Sequence, residues 1–148
     1  MYSIEEFDQA KTKILKYILY KKRTENEVRK KYENFFDNNL LEDVIDYLKE
    51  AGYINDVDYI NKTINNMMIL KNLSIIELRY KIITKGLDKN LIEDYFYEHK
   101  EELLEYEIKS ASNIIYKKKK DMDSNELKSY LMKKGYRQDT IKKAFEEE

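Results

Sequence analysis

His99 is the single histidine of the chain, and cysteine is absent. The side chains best suited to nucleophilic, general-base and metal chemistry are therefore almost missing. His99 stands between Glu98 and Lys100, a charged setting that reads as exposed surface. No Gly-rich loop leads into a Lys-Ser or Lys-Thr pair, which removes the phosphate cradle that nucleotide hydrolysis needs. Carboxylates are plentiful, yet most fall at expected helix starts or on polar faces, where capping and solvation account for them. These residues point away from an enzyme and call for no cofactor or metal.

What remains is cationic. Lys21-Lys22-Arg23 is followed across Thr24 by Arg29-Lys30-Lys31, and Lys117-Lys118-Lys119-Lys120 forms a second run. Such runs can neutralise nucleic-acid phosphates, giving affinity without sequence readout. The plainer reading is a solvated helix face. Of the 14 tyrosines, Tyr20, Tyr32, Tyr116 and Tyr130 lie beside these lysines, where a ring stacks on a base or covers apolar surface. Tyr17, Tyr47 and Tyr95 fall on apolar faces and read as core. The formal net charge of −1 conceals segregation. Residues 11–31 hold nine Lys or Arg against two acids, whereas residues 88–107 hold eight acids against two lysines. A local basic footprint is therefore possible on a protein of almost no overall charge.

The elements that carry these residues must be helices. The 148 residues include no proline and only three glycines, too little turn chemistry for a sheet protein. A hydrophobic share of 42% beside a charged share of 39% suggests an elongated shape with much surface for each buried residue. The N-terminal Met1-Tyr2-Ser3-Ile4-Glu5-Glu6 lacks the basic and then apolar blocks of a signal peptide, and no apolar run approaches the roughly 18 residues that span a bilayer. A cytoplasmic protein that avoids membranes is expected.

Three segments share a polar start and an acid three residues later: Thr24 with Glu27, Ser74 with Glu77, and Asp123 with Glu126. Each is a capping-box pattern, and the acids stand 50 and 49 residues apart. Ser3 with Glu6 is a fourth such pattern. Downstream, Lys85-Gly86-Leu87-Asp88 answers Lys134-Gly135-Tyr136-Arg137, while the first copy has Phe35-Phe36-Asp37 and lacks the glycine. Phe36 to Asp43 then parallels Leu87 to Asp94. Upstream, Ala10, Ile14, Tyr17 and Ile18 precede Thr24 by the distances at which Ile60, Ile64, Met67 and Met68 precede Ser74. Their spacing puts them on one helical face. Helices are expected near 3–22, 25–34, 38–50, 57–72, 75–85, 89–99, 101–119, 124–134 and 138–147. The fold class is all-α, with three tandem three-helix repeats at 1–56, 57–106 and 107–148 stacked into an elongated, curved array. Both cation runs begin where a repeat's long helix ends.

Several of these segments resemble the RecX family of recombination regulators. The resemblance covers nearly the whole chain. It is carried by Leu48-Lys49-Glu50-Ala51-Gly52-Tyr53-Ile54-Asn55-Asp56, by Lys22 to Lys31, and by Ile83-Thr84-Lys85-Gly86-Leu87, in that family's order and spacing. Two departures are a missing glycine near Asn34 and Asn72 in place of a common glycine, both tolerable because Asn accepts left-handed geometry. The chain is also less basic than the family pattern. The resemblance implies a negative modulator of the RecA recombinase that binds along the groove of the RecA–DNA filament, limiting its growth, ATPase and strand exchange. DNA would be met non-specifically, by a monomer. Basic edges at Lys21, Lys22, Arg23, Arg29, Lys30, Lys31 and Lys117–Lys120 would touch phosphate or acidic RecA surface, and acids from Glu93 to Glu105 would meet basic RecA surface. The alternative is a helical scaffold that binds protein alone. A self-standing helix-turn-helix reader fits less well, because the third helices (Leu40–Lys49 and Leu91–Glu98) are acidic where base-reading side chains belong.

Overall fold

The computed structural model describes residues 1–147, and these form nine α-helices: α1 Ile4–Tyr20, α2 Glu25–Tyr32, α3 Asn38–Glu50, α4 Asp56–Leu70, α5 Ile75–Ile83, α6 Lys89–Glu98, α7 Lys100–Lys118, α8 Ser124–Lys133 and α9 Gln138–Glu146. Every boundary lies within two residues of the expected one. A long helix, a short capped helix and a third helix follow one another three times. The capping boxes at Thr24, Ser74 and Asp123 are complete, each side chain accepting from the third helical amide while that residue's Glu accepts from the cap amide. At Ser3 only half the box forms. Its hydroxyl oxygen accepts from the Glu6 amide, but the Glu6 carboxylate turns to the Ser3 hydroxyl rather than to its backbone.

Glycine closes helices where the chain must turn left-handed. Gly135 (φ 97°) donates to the Met132 carbonyl at 3.0 Å and Tyr136 donates to that of Leu131 at 3.1 Å, the paired bonds that cap a helix end. Gly52 (φ 85°) ends α3 the same way. The first copy solves its turn differently. No described residue other than glycine has a positive φ, so neither Asn34 nor Asn72 uses the left-handed geometry expected of it. After α2 the Phe35 and Phe36 amides both bond the Tyr32 carbonyl, and the Phe35, Phe36 and Tyr32 rings pack edge to face or tilted within 6.3 Å. Aromatic packing here replaces glycine.

The chain divides into two compact units, Met1–Ile60 with Lys85–Asp88, and Asn61–Thr84 with the chain from Lys89 onward. In the first, Ala10, Ile14 and Ile18 of α1 and Val28 of α2 bury against Val44, Ile45 and Leu48 of α3. In the second, Ala111, Ile114 and Ile115 of α7 meet Leu127 and Leu131 of α8 and Ile141 and Ala144 of α9. Tyr95 is buried as expected, but Tyr17 is only half-buried and Tyr47 is 45% exposed, its ring edge on Phe7 and Lys11 above it.

Polar groups inside each unit decide how the helices meet. Glu107 of α7 is fully buried. Its Oε2 accepts from the Ile75 amide, the first of α5, at 2.8 Å, and its Oε1 accepts from Thr140 Oγ1 at 2.6 Å and Arg137 Nε at 3.4 Å. Ser74 Oγ donates to the Lys134 carbonyl at 2.7 Å, and Ser110 shares a buried 2.6 Å bond with Tyr136, whose hydroxyl is pushed up in pKa by burial. In the first unit Asp56 Oδ1 accepts from the Glu25 amide, the first of α2, at 3.0 Å.

Glu107→Ala strands the Ile75 amide and the buried Thr140 hydroxyl, while exposed Arg137 is left to solvent. At about 1–3 kcal/mol for each unsatisfied group it should cost about 2–5 kcal/mol, and Glu107→Gln, which keeps one acceptor and the shape, should cost less; urea unfolding followed by circular dichroism measures both. A Cβ at Gly52 meets nothing within 4 Å, so Gly52→Ala should cost only the left-handed strain of about 1–2 kcal/mol. At Gly135 an added Cβ would fall 3.2 Å from Ile76 Cβ and Ser74 Oγ, so the same unfolding measurement should show a larger loss for Gly135→Ala.

Candidate phosphate and partner surfaces

The first basic cluster straddles the turn between α1 and α2. Lys21 caps α1 in extended conformation and is exposed. Lys22 forms an ion pair with Asp58. Arg23 lies with its guanidinium 4.1 Å from the Tyr17 ring centroid and within 3.9 Å of Glu27. Arg29 is bracketed by two carboxylates, Glu25 at 3.1 Å and Glu42 through both guanidinium N–H groups. Its guanidinium is held still more firmly charged, first by Glu42. Lys49 reaches Glu25 at 2.9 Å, so the α2 start, α2 end and α3 share one ionic knot. Exposed Lys30 and Lys31 remain on the outer side of α2, Lys31 5.0 Å from the Tyr17 centroid. The six predicted cations thus divide. Lys22, Arg23 and Arg29 serve the fold, while Lys21, Lys30 and Lys31 face solvent.

The second cluster lies in the other unit, at the end of α7. Lys117, Lys119 and Lys120 are exposed and Lys118 is half-buried. Lys119 sits 4.8 Å from the Tyr116 centroid, and Lys118 and Lys134 sit 5.0 and 5.5 Å from that of Tyr130. Tyr116 is 67% exposed, so its ring is presented to solvent beside the Lys119 ammonium. Beside this cluster runs a groove of about 670 Å³ between the end of α4 and α7. Lys71, Asn72, Lys109, Asn113 and Lys117 line it, with Glu102 and Glu105 nearer the start of α7. Lys71 and Lys109 stand outside both cation runs of the sequence. The four-residue spacing of Lys109, Asn113 and Lys117 was a signal, but Lys71 reaches the groove only through the fold.

The acidic segment is thinner than its composition suggests. Glu107 is consumed inside the unit and Glu93 is paired with Arg79, while Asp88, Asp94, Glu98, Glu101, Glu102 and Glu105 are exposed. His99 is half-buried rather than exposed. Its ring stacks on Tyr95 with centroids 4.1 Å apart, and its Nδ1 is 2.9 Å from the Tyr95 carbonyl. Among the described residues no three His, Asp or Glu side chains converge as a metal site, and no helix is long and apolar enough to cross a membrane.

A chain built of capped short helices, with Gly52 and Gly135 ending their helices in paired bonds, has solved counterparts. The crystal structure of RecX from Lactobacillus salivarius superposes with a TM-score of 0.79 at 20% identity, covering 98% of this chain and 97% of that one. That likeness speaks for the fold. The RecX regulatory protein of Finegoldia magna is 31% identical over 151 residues, spanning 95% of this chain and 72% of that protein. The chain belongs to the RecX family. The RecX regulatory protein of Staphylococcus carnosus is also 31% identical, over 137 residues, and here the chain spans about half of the relative's length (51%). No protein-family model matches the chain. RecX relatives are named as regulatory proteins rather than for a reaction.

The knot around Arg29 sets a pH dependence. The Arg29 hydrogen bonds hold Glu42 below its ordinary value of 4.5. Burial pushes Glu25 up, but hydrogen bonds from Lys49 and Arg29 more than reverse it. Carboxylates depressed on folding stabilise above their unfolded value and lose that contribution as pH falls through the folded one. Asp56, raised by burial, acts in the opposite sense and gains on protonation. Urea midpoints taken from pH 6 down to about pH 3 should fall, and Glu42→Gln should flatten that fall; an unchanged slope would mean that the Arg29–Glu42 pair does not form.

Proposed function

We propose that this chain is a negative modulator of the RecA recombinase, binding along the groove of the RecA–DNA filament and limiting its extension, ATP hydrolysis and strand exchange during recombination and repair. Membership of the RecX family is the observation that supports this most. The exposed lysines supply a suitable chemistry. Lys21, Lys30 and Lys31 beside α2, and Lys117, Lys119 and Lys120 after α7, keep ammonium groups in solvent where phosphate oxygens can reach them. Lys22, Arg23, Arg29 and Lys118 then act behind them, holding the turns and rings that position the exposed set. Three repeats (1–56, 57–106 and 107–148) are the modules of this reading, and a cytoplasmic monomer that takes filament DNA without sequence preference is its working form. The acids left exposed on α6 and α7 face basic protein surface rather than DNA.

Adding the full chain at equimolar ratio to RecA on single-stranded DNA should slow ATP hydrolysis and shorten filaments; no effect at that ratio overturns the reading. Lys117, Lys119 and Lys120 changed together to Glu should weaken inhibition and flatten its salt dependence. Each lost phosphate contact lowers the logarithmic salt slope by about 0.7–0.9. Inhibition that weakens with an unchanged slope would place those lysines on protein, as the scaffold alternative requires.

A further inference from the structure

The third copy carries a face that the second copy keeps covered. In the second unit α7 packs on α5 and α6, and it does so in a defined way. Leu103, 1% exposed, and Leu104 share one cleft with Phe96 and Arg79, while Glu107 takes the first amide of α5. The spacing that relates the capping boxes carries this seat forward by 49 residues. Phe96 becomes Phe145, Arg79 becomes Lys128, and the same step takes Glu93 to Lys142. The geometry is repeated too, since Arg79 lies 4.3 Å from the Phe96 centroid and Lys128 lies 5.4 Å from that of Phe145. Among the described residues no helix lies on this second seat. It is a groove of about 490 Å³ between α8 and α9, floored by Met132, Ile141 and Phe145.

The charge of the groove departs from the pattern in one respect. Arg29 pairs with Glu42 in the first copy and Arg79 pairs with Glu93 in the second. At the matching places the third copy has Lys128 and Lys142, both exposed, so a cation–carboxylate pair has become two cations beside an apolar floor. Glu146 is the one carboxylate among the described residues that line the groove. The cap is open as well. Thr24 and Ser74 are fully buried under neighbouring elements, whereas Asp123 and Ser124 at the start of α8 are exposed.

We infer that the α8–α9 groove is a docking seat for an acidic amphipathic helix of a protein partner. The helix lays leucine-like side chains on Met132, Ile141 and Phe145 and sets carboxylates against Lys128 and Lys142. α7 on α5 and α6 is the internal template for this mode, an apolar stripe with an acid aimed at the start of the short helix. The missing carboxylates at the third copy's ion-pair positions define the charge the visitor must bring. The inference stands apart from the filament reading, because it needs neither DNA nor recombinase.

The test uses the full chain and a fluorescein-labelled, end-blocked amphipathic peptide of about four turns, with leucines at i, i+3, i+4 and i+7 and glutamates flanking them. A second peptide carries lysine at every glutamate position. Fluorescence anisotropy should show binding of the glutamate peptide and at least tenfold weaker binding of the lysine peptide. Lys128→Glu with Lys142→Glu should reverse that preference, so that the lysine peptide binds the double variant. Both lysines are exposed, and an unchanged circular dichroism melt of the variant certifies the fold. Equal binding of the two peptides, or no reversal in the variant, overturns the proposal. So does a single-stranded oligonucleotide that competes for the groove, or self-association in sedimentation that the same double variant abolishes, because each names a different occupant.

Discussion

A helix begins with amides that have no partner of their own, and the arrangement of this protein turns on where two of those amides are satisfied. The first amide of α2 bonds Asp56 of α4, and the first amide of α5 bonds Glu107 of α7. In each case a short helix is tied to the long helix of the following copy by a carboxylate placed on the positive end of its dipole. A capping box alone leaves that first amide free, because the box uses the cap and third-residue amides. The carboxylate therefore completes the helix start only when the next long helix has docked. Short helices of eight and nine residues are marginal by themselves, so local folding and docking of neighbours become one event. Glu107 goes further than Asp56, gathering Thr140 and Arg137 of the third copy around the same carboxyl group.

The same economy governs the cations. A chain with 28 Lys and Arg and 29 Asp and Glu can bury few charges unpaired, and the structure uses its partly exposed arginines to tie helices together within each unit. Arg29 and Arg79 both join the short helix to the third helix of their own copy through a glutamate, and Arg137 joins Glu107. Arginine suits this work because its planar fork takes two acceptors at fixed geometry and stays charged when partly buried. Lysines are shared between the two tasks: Lys22 and Lys49 pair with Asp58 and Glu25, while Lys21, Lys30 and Lys31 face solvent. The partner that the fold supplies, more than membership of a cation run, separates charges that hold the fold from charges left at the surface.

Much of this was legible in the sequence because the signals were local. Capping residues, the glycines at 86 and 135 and the apolar spacing before Thr24 and Ser74 act within one or two turns, so all nine helices could be placed from them. Long-range pairing was not legible. Nothing adjacent to Glu107 marks it as buried, and its run of neighbouring acids reads as a solvated face. Lys22 and Arg29 looked like members of a basic run because their partners, Asp58 and Glu42, lie 36 and 13 residues away. Tyr47 carried an apolar pattern position yet stays half outside, its ring perpendicular to that of Phe7. Periodicity reports which face a residue occupies, not how far a neighbouring helix covers it.

The unequal repeats then acquire a physical sense. A surface that a neighbouring copy would cover needs a different composition where, among the described residues, no helix covers it, as on the third copy. One solution is to make that surface polar, and the third copy does so only partly. It exchanges Glu93's counterpart for Lys142 and Arg79's for Lys128, yet keeps Ile141 and Phe145 where Ile92 and Phe96 stood. A face meant only for water would have lost the aromatic floor as well as the ion pair. Retaining the floor while making both flanks positive gives a surface that is soluble when empty and selective when filled. An apolar helix without acids gains the floor but leaves two ammonium groups desolvated, and an acidic chain without an apolar stripe gains charge pairing that salt screens. Only a visitor with both features satisfies both.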